Sequence, residues 1–284
     1  MKLAGSALQT LILVLFFHVT YGQESPDSLR KYGYDSLRKY SYLVSGIIND
    51  HSAIIGTGFF IRSDTNVYLI SAAHVLTGWN AVKEEWNKNY PDRFFVKLTD
   101  RTTGDDILCS LNVKAYKKKL VPFSLWNKAD IFIYKIKNPS LYIINSIENL
   151  IVDTVASYLN EINRVFGYGF ASYHHFSDFH SLLHLTPTLI DASTVMRYEK
   201  MPNIRENKLP DSMHFIIAPV YPWKNNFGRG ASGAPVFIYS EKSGRFIFGG
   251  VVIALNNKGM FDIVVRFEKF WDFFNASKDG TKLD

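Results

Sequence analysis

From Leu43 onward the chain is a succession of short runs of β-branched and aromatic residues, and this feature constrains the fold more than any other. Six such runs occupy 41–48, 53–61, 67–73, 93–99, 107–116 and 130–137. Turn-forming pairs separate several of them, including Asn49-Asp50, Ser63-Asp64, Pro91-Asp92 and Thr103-Gly104. A second set occupies 164–170, 180–190, 214–220, 234–240, 245–255 and 261–267. The stretch from Pro139 to Ser157 is less regular and links the sets. Helical spacing appears near the end, where Phe267, Phe270, Trp271 and Phe274 share one face. Strands with no helices between them pair antiparallel. The expectation is an all-β chain of two antiparallel β-barrels, each of about six strands, closed by a C-terminal helix. Barrel one would run over about 43–138, barrel two over about 155–265, and the helix over about 266–277.

Composition supports a packed core. Of the 284 residues, 47% are hydrophobic and 15% aromatic, which excludes disorder as the main state. The net charge of +6 is spread along the chain with no dense basic block, so nucleic acid is not an expected partner. There is one cysteine, Cys109, so an intrachain disulfide and a multi-cysteine zinc site are both excluded.

The N-terminus reads as an export signal. Lys2 supplies a small positive region, 7–19 is almost wholly apolar, and the small residues Thr20 and Gly22 fit cleavage before Gln23. The apolar run is shorter than the roughly 20 residues a spanning helix needs. Signal peptide 1–22 would leave a secreted or periplasmic chain with no membrane span. Residues 23–42 form a polar leader that holds a duplication, 27–34 and 35–42. The leader is read as a short amphipathic arm, and a surface-docking or gating role is the alternative.

Three segments carry candidate chemistry. Gly228 to Pro235 is glycine-rich, contains Ser232 and leads into an apolar strand. A nucleophilic serine needs backbone N–H groups aimed at a developing oxyanion, and glycines permit the turn that aims them. A plain glycine-rich hairpin would look the same. The run 67–75 ends in Ala72, Ala73 and His74, small residues followed by an imidazole. Taken alone, a histidine at a strand end is more often structural. Asp130 opens an alternating strand and is suited to accept the second ring N–H of a histidine. Taken alone, it is an ordinary strand-start aspartate.

Together, in the order His74, Asp130, Ser232, these segments resemble the chymotrypsin-like (trypsin-like) serine proteases. The similarity is strongest to the bacterial disulfide-free branch, which includes glutamyl endopeptidases and HtrA-type protease domains. Gly56-Thr57-Gly58-Phe59 resembles the family's strand before the histidine. Ser71-Ala72-Ala73-His74, Asp130-Ile131 and Gly230 to Pro235 resemble its other motifs, and the likeness covers roughly Leu43 to Ser277. The resemblance implies Ser232 as nucleophile, His74 as general base and then acid, and Asp130 as the group that orients the imidazole. It implies the backbone N–H groups of Gly230 and Ser232 as the oxyanion hole. It also implies the strand Val251, Val252, Ile253, Ala254 and Leu255 as the edge that pairs with substrate. The pattern departs from the animal zymogens at Ala231, where those enzymes carry an aspartate. Activation by insertion of a new N-terminus is therefore not expected. No acidic residue occurs in 224–227, so a preference for Arg or Lys beside the cleaved bond has no basis.

The expected function is an exported serine endopeptidase that acts through an acyl-enzyme on protein or peptide substrates. No cofactor or metal is called for. The alternative is a catalytically silent or latent module on the same fold that binds extended peptides. His174, His175, His180 and His184 are read as surface or pocket residues rather than as metal ligands, and Cys109 as a buried small hydrophobe. The segment Trp79 to Trp86 is read as a surface loop or short helix after the histidine.

Overall fold

The computed structural model describes residues 33–49, 52–80, 85, 86, 90, 91, 93–113, 130–152, 164–170, 179–192, 194–196, 214–218, 230–240, 243–256 and 261–278. The chain divides into a unit of residues 1–36, described only at 33–36, and a unit of residues 37–284 that holds all the sheets.

The first sheet has seven strands: β1 Tyr42–Asn49, β2 Ser52–Ser63, β3 Asn66–Ala72, β6 Phe94–Asp100, β7 Asp106–Leu111, β8 Ile131–Lys135 and β9 Tyr142–Ile143. Its order is β7-β6-β1-β2-β3-β8, with β9 added to β6. Between β3 and β6, β4 Trp79–Asn80 pairs with β5 Glu85–Trp86, so the expected loop or short helix carries a two-stranded ribbon. The second sheet also has seven strands: β10 Arg164–Gly169, β11 Thr188–Ala192, β12 Thr194–Met196, β13 His214–Ala218, β14 Pro235–Ser240, β15 Arg245–Asn256 and β16 Phe261–Arg266. Its order is β11-β10-β14-β15-β16-β13-β12. The ladders between strands are antiparallel throughout.

The mostly-β, antiparallel expectation holds, whereas closure into two barrels is not seen among the described residues. The first sheet ends on β7 and β8, with no ladder joining them. The second ends on β11 and β12, which are separated in the chain by Ser193 alone. One continuous stretch thus supplies both outer strands of the second sheet.

Alternation explains the cores. Val44 of β1, Phe60 of β2, Leu69 of β3, Phe94 and Val96 of β6 and Phe132 of β8 form one cluster. Full burial of such a side chain stabilises the fold by about 1.5–3 kcal/mol. The C-terminal helix α2 spans Phe267–Lys278, as the periodicity predicts. Its Phe270 lies 6.0 Å from Phe59 of β2 and 5.5 Å from Phe248 of β15. Its Phe274 meets Tyr68 of β3 edge to face at 5.4 Å. The helix therefore packs on both sheets through one apolar face.

Two further segments differ from expectation. Residues 180–190 were expected as a single strand, but Phe179–His184 forms a 3-10 helix before β11 begins. Packing decides this: Leu182 is wholly buried against Phe170 and Leu43, and the next residues lead out to an exposed His184. The Lys97 ammonium of β6 donates to the carbonyls of Leu183 and Leu185 and so caps this helix. The end of the leader is folded into the body. A 3-10 helix spans Tyr34–Tyr40, Leu37 and Tyr40 are buried, and the Ser41 hydroxyl donates to Tyr168 O of β10 at 2.9 Å.

Candidate active site

His74 lies not at a strand end but in a short helical turn. β3 stops at Ala72, and α1 Ala73–Thr77 follows at once. Ala72 and Ala73 are both buried, so small side chains are needed where the turn folds back on the sheet. Gly78 ends the helix in the left-handed conformation, φ 72°, and its N–H donates to His74 O at 3.0 Å. The Tyr90 hydroxyl lies 2.6 Å from both the His74 and the Val75 carbonyl oxygens and shares its proton between them.

Asp130 reaches this turn because of strand register. β8 pairs with β3 so that Ile131 faces Ala72, which sets Asp130 beside Ala73. Three hydrogen bonds follow. Ala73 N–H donates to the Asp130 main-chain oxygen at 2.8 Å, His74 N–H donates to Oδ1 at 2.8 Å, and His74 Nδ1 lies 2.5 Å from Oδ2. The backbone at Asp130 has φ 54°, a conformation uncommon for a residue with a side chain. The carboxylate is buried, with 7% of its side chain exposed, whereas the imidazole keeps 36%. With the carboxylate accepting at Nδ1, that nitrogen carries the proton, and Nε2 is the one left to act as a base. Burial pushes the ring's pKa down, but the charge of Asp130 and its hydrogen bond outweigh this and hold it above the ordinary value.

Ser232 lies in the loop 230–234 that enters β14. Its carbonyl accepts from Thr57 N–H of β2 at 2.9 Å. Gly233 N–H donates to Val252 O at 2.6 Å, and Val252 N–H donates to Ala234 O at 3.0 Å. Gly233 has φ 89°, and a Cβ there would sit 2.0 Å from Thr57 O and 2.8 Å from Ala72 N. The serine loop is thus pressed against Thr57 and against the strand end that leads into His74. Among the described residues no hydrogen bond joins the Ser232 hydroxyl to the His74 ring. Such bonds are often long in unliganded sites and tighten when substrate binds.

The candidate substrate strand lies in β15. Val251 is the last residue of β15 in register with β14, opposite Pro235, and both main-chain groups of Val252 are already bonded to the serine loop. On its other side the strand pairs Val251, Val252, Ala254 and Leu255 with β16, and Ile253 is bulged out of that ladder. From Ile253 onward the edge that faced β14 has no strand partner among the described residues. It starts one residue after Val252, whose carbonyl accepts from Gly233 N–H.

No protein-family model matches the chain, and no curated protein matches it. Two solved structures of Rv3671c protease are similar to it. The inactive form aligns at 14% identity and TM-score 0.49, covering 89% of this chain and 96% of that one. The active form, from M. tuberculosis, aligns at 14% and 0.49, covering 88% and 86%.

Two positioning residues were not found from the sequence. Thr57 is the middle of a Gly-x-Gly pair, and a polar β-branched residue between two strand glycines is its one local signal. Tyr90 carried no signal at all. Cys109 is half-buried on β7 rather than enclosed. Partial burial pushes its thiol pKa up, which makes it a poor nucleophile. His174 and His175 fall outside the described residues, His180 lies in the 3-10 helix Phe179–His184, and His184 is exposed.

Proposed function

We propose that the chain is an exported serine endopeptidase on a chymotrypsin-like scaffold of two antiparallel sheets, with signal peptide 1–22 removed and the product secreted or periplasmic. The observation that supports this best is the double grip of Asp130 on His74, at the main-chain N–H and at Nδ1, beside a serine loop locked against Ala72 and Thr57.

In this reading the substrate backbone adds to the free edge of β15 at Ile253, Ala254 and Leu255. Ser232 Oγ attacks the carbonyl carbon of the scissile bond, and His74 Nε2 takes its proton. The resulting imidazolium is stabilised by the Asp130 carboxylate. Negative charge on the carbonyl oxygen is met by the N–H groups of Gly230 and Ser232. The imidazolium then protonates the leaving amine as the C–N bond breaks, leaving an ester on Ser232. Water, deprotonated by His74, hydrolyses that ester and restores the hydroxyl.

The test is labelling of the processed chain by a fluorophosphonate. Labelling of the wild type, abolished by Ser232→Ala and strongly slowed by His74→Ala, supports the reading. A folded wild type that stays unlabelled across neutral pH refutes it.

A further inference from the structure

We propose that the Thr57 side chain is a positioning group that aims the oxyanion-binding peptides of the serine loop. This inference rests on the protease reading above.

The first three carbonyls of the loop are engaged. Gly230 O accepts from Thr57 Oγ1 at 2.8 Å, Ala231 O accepts from Ala234 N–H at 2.8 Å, and Ser232 O accepts from Thr57 N–H at 2.9 Å. In a trans peptide the N–H points opposite the C=O of the same plane. Holding Ala231 O inward therefore turns Ser232 N–H outward. Among the described residues neither Gly230 N–H nor Ser232 N–H has an acceptor, as expected of donors kept for a ligand oxygen.

Gly230 is the weak point of this arrangement. Its φ is 102°, and with no Cβ it rotates easily. The plane between Gly230 and Ala231 is held by the Thr57 hydroxyl. Turning that plane changes ψ at Gly230 and φ at Ala231, two of the torsions that set the Gly230 N–H and the Ser232 N–H relative to each other, so the two donors lose their common aim. The hydroxyl is itself fixed. It accepts from Phe170 N–H at 3.1 Å while donating to Gly230 O, and Thr57 is fully buried. Its main-chain oxygen accepts from the Ser71 hydroxyl at 2.7 Å. One residue of the first sheet thus holds the nucleophile loop of the second by two bonds, and one of the two needs the side chain.

The experiment compares Thr57→Val, Thr57→Ser and Ser41→Ala in the full chain. Valine keeps the shape but strands two buried polar groups. Serine keeps the donor. Ser41→Ala removes another buried hydroxyl whose partner, Tyr168 O, is not part of the loop. Expected for Thr57→Val is a fall in kcat of about 10- to 100-fold, the effect of losing one buried hydrogen bond in the transition state. KM and the acid limb of the pH profile stay in place, because the His74–Asp130 pair is untouched. Thr57→Ser stays within about threefold of wild type, since its hydroxyl forms the same bond. Ser41→Ala loses comparable thermal stability without the loss in kcat.

Unchanged kcat in Thr57→Val overturns the proposal. So does a kcat loss of that size in folded Thr57→Ser, which keeps the hydroxyl, and this measurement decides the matter even if the valine variant does not fold. A wild type that neither labels nor cleaves overturns the protease reading and the positioning role together. A wild type that labels while Thr57→Val matches it in kcat overturns the positioning role alone.

Discussion

Gly233→Ala is the substitution whose cost the structure defines best. The residue has φ 89°, where an alanine is strained by about 1–2 kcal/mol. The added Cβ would lie 2.0 Å from Thr57 O, 2.5 Å from Ser71 Oγ and 2.8 Å from Ala72 N, whereas ordinary contact begins near 3.4 Å. Two of those atoms are main chain and cannot rotate aside. The loop must therefore withdraw by more than an ångström, adding an overpacking cost of about 1–3 kcal/mol. At about 2–4 °C per kcal/mol for a chain of this size, the melting temperature falls by roughly 5–20 °C. The withdrawal carries Ser232 away from His74, and a misplacement of about 1 Å costs on the order of a hundredfold in rate. Gly104→Ala is the matched control. Its φ of 78° imposes the same backbone strain, but its Cβ would meet nothing within 4 Å. The measurements are thermal unfolding and the second-order rate of fluorophosphonate labelling, both below the melting point of the weaker variant. Gly104→Ala should lose a little stability and no labelling rate. If the two variants prove equal in both measurements, the close packing of the serine loop on Thr57 and Ala72 is wrong.

Four other outcomes follow. Cleavage should fail as pH drops through a His74 pKa above the ordinary 6.5, and Asp130→Asn should move that limb to lower pH while slowing turnover, because burial then acts alone on the ring. The same pair makes stability depend on pH. The paired imidazolium stabilises the fold below the unfolded histidine value and this contribution is lost as pH rises through the folded one, a slope that Asp130→Asn should remove in pH-dependent melts. Tyr90→Phe leaves the His74 and Val75 carbonyls without their hydroxyl donor, and should lower kcat more than stability, read by comparing turnover with melting temperature. Phe270→Ala empties the seam between α2, β2 and β15, and should cost about 3–5 kcal/mol in chemical denaturation.

The parts of the site legible in the sequence are those whose signal is local. Ser232 sits among glycines, His74 follows two alanines, and Asp130 opens an alternating strand, so each motif could be read within a dozen residues. What links them could not be read this way. Thr57 and Gly230 are far apart in sequence, and only sheet docking brings the hydroxyl to its acceptor. Tyr90 supports the His74 turn from outside any motif. The 3-10 helix Phe179–His184 was hidden because Leu182 and Leu185 suit a strand face and a tight turn alike, and only contact with Leu43 and Phe170 selects the turn. The repeat 27–42 reads as polar, yet its Leu37 and Tyr40 are buried, and the Tyr40 ring lies 5.9 Å from that of Phe237 in the second sheet.

The placement of His74 and Asp130 on one sheet and Ser232 on the other has a temporal consequence. Under the proposed function, the base His74 and its orienting carboxylate Asp130 emerge before the nucleophile in synthesis. The nucleophile emerges near the end, and α2, which packs against both sheets, emerges after it. A growing chain therefore contains His74 and Asp130 well before it contains Ser232. On the protease reading, reactivity waits for the two sheets to dock, and a serine-directed probe added during refolding would time that event.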